Sequence, residues 1–276
     1  VALAGTDPTG QIWRTDDYGL TWTLIQRLGA ESRVPALCNL GGGVALAGTA
    51  THGQIWRTDD YGLTWTLIQR LGASTSISAL CTLGGGVALA GVYPAAEIYR
   101  TDDYGLTWTL IQQLGAERDA MSLCNLGSGV TLAGTSNHGQ IWRTDDSGLS
   151  WTLIQQLGAE TNVLSLCNLG SGVTLAGTGN HGQIWRTDDA GLTWTLIQRL
   201  GDGLGVMSLC TLGGGVALAG TYPSGYIYRT TDYGLRWITV THLADAQIVY
   251  CLAVLDGSNV IVGTGFTGCL YLLVYY

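Results

Sequence analysis

Lysine is absent from this chain of 276 residues: all twelve basic residues are arginine, and only 12% of positions are charged. The formal net charge of −8 excludes the basic stripe that a nucleic-acid-binding surface needs. No apolar run approaches the roughly 18 residues that span a bilayer. The longest, LYLLVYY at 270–276, has the length of a strand. No segment sustains helical periodicity, and the 42 glycines fall too often for long helices. Neither a signal peptide nor an initiating methionine precedes Val1, as expected of a processed or trimmed chain. Cysteine is odd in number at seven, and six copies are widely spaced: Cys38, Cys81, Cys124, Cys167, Cys210 and Cys251. That spacing matches neither the close pairs of a zinc site nor a small disulfide scaffold.

What the chain does have is itself, repeated. VALAG or VTLAG starts at Val1, Val44, Val87, Val130, Val173 and Val216, a period of 43 residues, and a degenerate start follows at Val260. A period near 40–45 with four short strands is the size of one propeller blade. Each unit reads as such a set: VALAG is short and apolar, QIWRT is β-rich, WTLIQRL follows a polar turn, and SALCTL closes the unit before GGG or GSG. The expected fold is all-β, a β-propeller of four-stranded blades forming a single domain over 1–276.

The polar turn is RTDDYGLTW at 14–22, repeated at 57–65 and 100–108 and, with small edits, at 143–151, 186–194 and 229–237. Its Ser/Thr-x-Asp-x-Gly-x-Ser/Thr-Trp pattern resembles the Asp-box, or BNR, repeat of sialidase-type and sortilin-like β-propellers. The likeness covers nearly the whole chain. The paired box residues are Asp17 and Trp22, Asp60 and Trp65, Asp103 and Trp108, Asp146 and Trp151, Asp189 and Trp194, and Asp232 and Trp237. A carboxylate such as Asp17 can accept N–H groups of its own turn, Gly19 can take a backbone conformation costly for other residues, and Trp22 offers a large ring to bury. The turn therefore reads as a staple, not a catalytic site. Strand order follows from the resemblance, with SALCTL innermost and WTLIQRL outermost. On that register the first blade lacks its inner strand and the last its outer one, which gives seven blades. A six-bladed ring, closed by pairing 247–255 with the N-terminal strands and leaving 260–276 as an extra hairpin, is the alternative.

Differences among copies concentrate in two segments. One follows VALAG, at 7–10, 50–53, 93–96, 136–139, 179–182 and 222–225. The other precedes the inner strand, at 31–35, 74–78, 117–121, 160–164 and 202–206. Alternating strand direction puts both on one face and the GGG and DDYGL turns on the opposite face. The resemblance implies that ligands bind on the variable face near the axis. Rigid scaffolds with variable loops commonly build binding surfaces, although loops also drift for want of constraint. The changes introduce Arg33, His52, Tyr93, Arg118, Asp119, His138, His181 and Tyr222, groups suited to a glycan or other polar ligand.

Sialidase chemistry, the activity the resemblance suggests first, needs an arginine cluster, a Tyr–Glu pair and an acid/base Asp. Six arginines instead precede the box, at 14, 57, 100, 143, 186 and 229, and only Arg33 and Arg118 stand in variable loops. The expected role is non-enzymatic binding of a glycan, peptide or protein. A structural or assembly role, with self-association through incomplete end blades, and a glycoside hydrolase are the alternatives. No cofactor and no metal are expected, since the repeated cysteines read as small buried core residues. The resemblance leans towards an extracellular or cell-surface setting.

Overall fold

A computed structural model describes residues 1–201, 204–244, 246–255 and 259–265, and the backbone of 270–274. Residues 202 and 203 of the fifth variable segment and the side chains of the last apolar run lie outside the described residues. Among the described residues every regular element is a strand. The chain divides into two compact units, 1–131 with 144–152, and 132–143 with 153–276.

In the first unit, Ala2–Gly5, Gln11–Thr15 and Thr23–Arg27 form a three-stranded antiparallel sheet. Arg33–Gly41, Val44–Ala50, Gln54–Thr58 and Thr66–Arg70 follow in meander order, and then Ser76–Gly84, Val87–Tyr93, Glu97–Thr101 and Thr109–Gln113. A single bridge, Ala50 to Ser76, ties these two sets together. In the second unit the same meander runs through Val163–Gly170, Val173–Thr178, Gln183–Thr187 and Thr195–Arg199. It recurs in Gly205–Gly213, Val216–Tyr222, Tyr226–Thr230 and Ile238–His242. The repeat between these sets supplies Asp119–Gly127, Val130–Ser136, Gln140–Thr144 and Thr152–Gln156. Val249–Val254 takes Asn259–Thr264 as its partner, which in turn pairs with Leu270–Val274. Asn259–Thr264 and Leu270–Val274 thus extend the sheet of Val249–Val254, and among the described residues Val249–Val254 pairs with no N-terminal strand, as the seven-bladed reading expects.

Burial explains the sequence pattern of each strand. The VALAG strand is buried along nearly its whole length (Val173–Thr178 throughout), so it reads as a continuous apolar run. The TLIQR strand lies at the sheet edge with its first two residues exposed. The glycine of VALAG is required by close approach: a Cβ on Gly91 would lie 2.4 Å from the carbonyl oxygen of Ala120.

The polar turns close the third-to-fourth strand connection as staples. Asp17 accepts the Thr21 N–H at 2.9 Å, the Thr21 hydroxyl at 2.6 Å and the Thr15 hydroxyl at 2.7 Å. Thr15 Oγ1 in turn accepts the Gly19 N–H, and Trp22 Nε1–H donates to the Gly19 carbonyl. Gly19 adopts φ 86°, the left-handed region glycine enters without steric cost. The backbone N–H bond to the carboxylate recurs at Asp60, Asp103, Asp146, Asp189 and Asp232, the Ser/Thr hydroxyl bond at the first four of these, and the indole bond at Trp108, Trp194 and Trp237. Trp65, Trp108, Trp151, Trp194 and Trp237 are buried, whereas Trp22, in the incomplete first sheet, is only partly covered.

Two further contacts stitch successive repeats. Arg14 Nε donates to the carbonyl of Tyr61, Arg57 Nε to that of Tyr104, and Arg186 Nε to that of Tyr233. Gln26 clamps the backbone of Trp65 from both sides, accepting its N–H and donating to its carbonyl, each at 3.2 Å. Gln112 does the same to Trp151 and Gln155 to Trp194. The near-identity of these segments among copies therefore has a mechanical reason: each contributes to the seam with the next repeat.

Candidate functional site

The two variable segments meet at one end of the strands. Val34 N–H donates to Thr6 O, Thr51 N–H to Thr75 O, Thr75 N–H to Tyr93 O and Gly179 N–H to Asn162 O. At the other end, the GGG-type and DDYGL-type turns meet through Tyr61 N–H to Gly43 O and Tyr233 N–H to Gly215 O. Each sheet that carries a DDYGL-type turn thus has a constant, stapled end and a variable end.

At the variable end of the first unit, three named residues come together. Arg118 Nη2 donates to the Tyr93 hydroxyl at 2.9 Å, with its guanidinium carbon 5.5 Å from the ring centroid. Its chain neighbour Asp119 opens a strand and is 9% exposed. Burial pushes the Asp119 carboxyl up to about 6, against the opposing pull of the Ser78 hydroxyl and the Arg118 charge. Asp119 Oδ1 is buried without a hydrogen-bond partner.

The other named residues are placed differently. Arg33 is exposed opposite Ala50. His52 is half-exposed, but its Nδ1 lies 2.6 Å from Oε1 of buried Glu31, whose second oxygen accepts the His52 N–H. His181 repeats the Nδ1 contact with Glu160 Oε1 at 2.5 Å, but its N–H donates to Gly179 O and Glu160 Oε2 is left without a partner. In both, the ring is held by Nδ1 while the side chain stays almost half exposed. His138 is exposed beside Asn137, and Tyr222, also exposed, pairs with Gly205 in its sheet. The structure therefore adds Glu31, Glu160 and Ser78, which the sequence reading passed over. A signal for the first two was present: in three copies a Glu precedes a His by the same interval, at 31 and 52, 117 and 138, and 160 and 181.

Asp119 gives a pH-dependent prediction. Its folded pKa of about 6 exceeds the usual 3.8, so the folded state holds the proton more tightly than the unfolded chain. Its presence costs nothing when both states are protonated, and the penalty grows as pH rises from about 4 to 6. That difference is worth on the order of 2–3 kcal/mol. Asp119→Asn is expected to raise stability at pH 7 by an amount of that order and to change it little at pH 4, measured by urea denaturation at both pH values.

The cysteines differ from a uniform buried row. Cys38, Cys124, Cys167 and Cys210 are buried, Cys81 is half-buried and Cys251 is exposed. Burial pushes Cys38 and Cys210 up to about 12 and Cys81 to about 11.

No protein-family model matches the chain, and no curated protein matches it in sequence. Solved structures do match in fold. A GH74 xyloglucanase from Xanthomonas campestris superposes with a TM-score of 0.77 at 18% identity over 98% of this chain. The chain spans 50% of that xyloglucanase. YCF48 bound to D1 peptide gives 0.74 at 17% identity, covering 98% of this chain and 87% of YCF48. The WD40 β-propeller domain of Doa1 gives 0.73 at 13%, covering 98% and 88%. The chain is a β-propeller. Its four-stranded blades are the sheets described above, and at these identities the likeness speaks for the fold alone. One propeller architecture thus serves a hydrolase and peptide-bound or WD40 propellers, so the function of this propeller must be argued from its blade ends.

Proposed function

We propose that the chain is one Asp-box propeller domain that binds, without catalysis, a glycan, peptide or protein at the variable ends of its blades. The reading rests chiefly on Asp119. A buried carboxyl with an unpartnered oxygen weakens the fold at neutral pH, and residues that break local rules at a cost in stability concentrate at functional sites. A ligand acceptor facing exposed Arg118, with its apolar face on half-buried Tyr93, would meet the two groups that stand beside Asp119, whose Oδ1 is itself closed to solvent. The lengthwise match to YCF48 bound to D1 peptide favours a peptide or protein ligand alongside a glycan.

The test screens the chain and its Asp119→Asn variant on a glycan array and a peptide array. The expected result is binding by the parent that the variant loses by tenfold or more while gaining stability at pH 7. Equal binding by both would contradict the role given to Asp119. Ordered oligomers with no ligand bound would support the structural alternative.

A further inference from the structure

The constant end carries a feature that stapling does not explain. Of each Asp–Asp pair, only the second closes the turn. The first, Asp16, Asp59 or Asp102, takes a single ion pair from Arg14, Arg57 or Arg100. In these pairs the Asp side chains are 58–71% exposed and the Arg side chains only 15–16%. The acids therefore face solvent while the arginines lie against the next turn.

Beside them sit apolar groups. Tyr18 and Tyr61 are 66% and 61% exposed, and Leu20, Leu63, Leu106 and Leu149 are each more than half exposed. Tyr61 packs against Gly43 and Tyr104 against Gly86, so closely that a Cβ on either glycine would collide with the ring. One side of each ring thus rests on a glycine turn. The turns are also chained together: Arg14, ion-paired to Asp16, donates to Tyr61 O, and Arg57, paired to Asp59, donates to Tyr104 O. Asp16 and Asp59 therefore stand near the tyrosine of the next turn, whereas the arginine paired to Asp102 reaches Ser147 O. The leucine occurs in all six copies, at 20, 63, 106, 149, 192 and 235. It persists where the tyrosine becomes Ser147 or Ala190 and where the threonine becomes Ser150 or Arg236. Burial within the fold does not require it.

We propose that the constant end is a second interaction surface, and that its occupant is a basic, aliphatic segment of a partner protein. Charge complementarity selects that occupant. Outward aspartates attract cationic side chains, exposed tyrosine faces accept Arg or Lys by cation–π contact, and leucines between them offer apolar contact of the sort that marks interaction sites. Successive turns of one scaffold present the same group repeatedly, so a segment with alternating charge and apolar side chains gains from several weak contacts at once. A second copy of this chain fits poorly, because like acids would face one another.

The test uses two fluorescent decapeptides, one alternating Arg and Leu and one alternating Glu and Leu, titrated by anisotropy. The intact chain is expected to bind the first and not the second, more weakly at high salt. The variant Y18S/Y61S/Y104S is expected to bind at least tenfold more weakly with unchanged thermal stability, since the chain already accepts Ser147 at this turn position. Replacing the variable loops is expected to leave this binding intact, which separates it from binding at the opposite end. Failure to bind the Arg–Leu peptide, equal binding of both peptides, or an unaffected tyrosine variant would overturn the proposal. So would sedimentation showing that the parent dimerises and the tyrosine variant does not.

Discussion

His181→Ala is expected to lower the stability of the fold by about 1–3 kcal/mol, the usual cost of leaving a buried polar group without its hydrogen-bond partner. Glu160 is 1% exposed, its Oε1 lies 2.5 Å from His181 Nδ1, and its Oε2 has no partner of its own. Without the ring, neither oxygen keeps a side-chain partner. The chain also carries an alternative solution at the same repeat positions, where Ser74 and Ala95 stand in place of the Glu and the His. The double change Glu160→Ser with His181→Ala is therefore expected to recover most of the loss, because no buried carboxyl group is left without a partner. Urea denaturation of the parent, both single variants and the double variant closes the cycle. A loss in the double variant as large as in His181→Ala would show that the histidine acts by packing alone.

The second large effect concerns the staples. Asp60 accepts the Leu63 and Thr64 N–H groups at 2.9 Å, the Thr64 hydroxyl at 2.6 Å and the Thr58 hydroxyl at 2.7 Å. Hydrogen bonds to a charged group contribute about 1.5–3 kcal/mol each in favourable settings, and solvent at this turn reduces that. Asp60→Ala is expected to cost about 2–3 kcal/mol in total, and Asp60→Asn, which keeps an acceptor, about half as much. Acid gives the same test on all copies together. The Thr64 hydroxyl is the largest cause holding Asp60 down to about 2, and the Thr21 hydroxyl does the same for Asp17. At Asp146 and Asp189 burial pushes upward, and the hydrogen bonds of Ser150 and Thr187 lead those that outweigh it, again to about 2. Folded values below the ordinary 3.8 mean that this stability is fully present above about pH 4 and is lost as pH falls through 2. Tryptophan fluorescence is expected to report cooperative unfolding in that window, shifted to higher pH in Asp60→Asn.

The repeat made the scaffold legible. VALAG, QIWRT, WTLIQRL and SALCTL name the strands in order, and the 43-residue register correctly left the first sheet without its first strand and the last without its fourth. The role of Asp17 was readable because its partners lie within four residues of it. The variable end was less legible because its contacts join segments about twenty residues apart, such as Glu31 to His52 and Tyr93 to Arg118. Composition suggested a displayed Asp119, whereas the fold buries it. Of the paired acids in the polar turn, Asp17 closes the turn, as its place in the pattern implied, and Asp16 faces water, which depends on side-chain direction.

The central claim is that the constant ends hold the blades together while the variable ends bind ligand. The most direct test replaces the variable segments around Tyr93, Arg118 and Asp119 with Gly/Ser and screens parent and variant side by side on the same glycan and peptide arrays. The account predicts a folded variant with an unchanged staple unfolding near pH 2 and with the parent's array binding lost. A variant that folds and still binds the same ligands with the same affinity would contradict it.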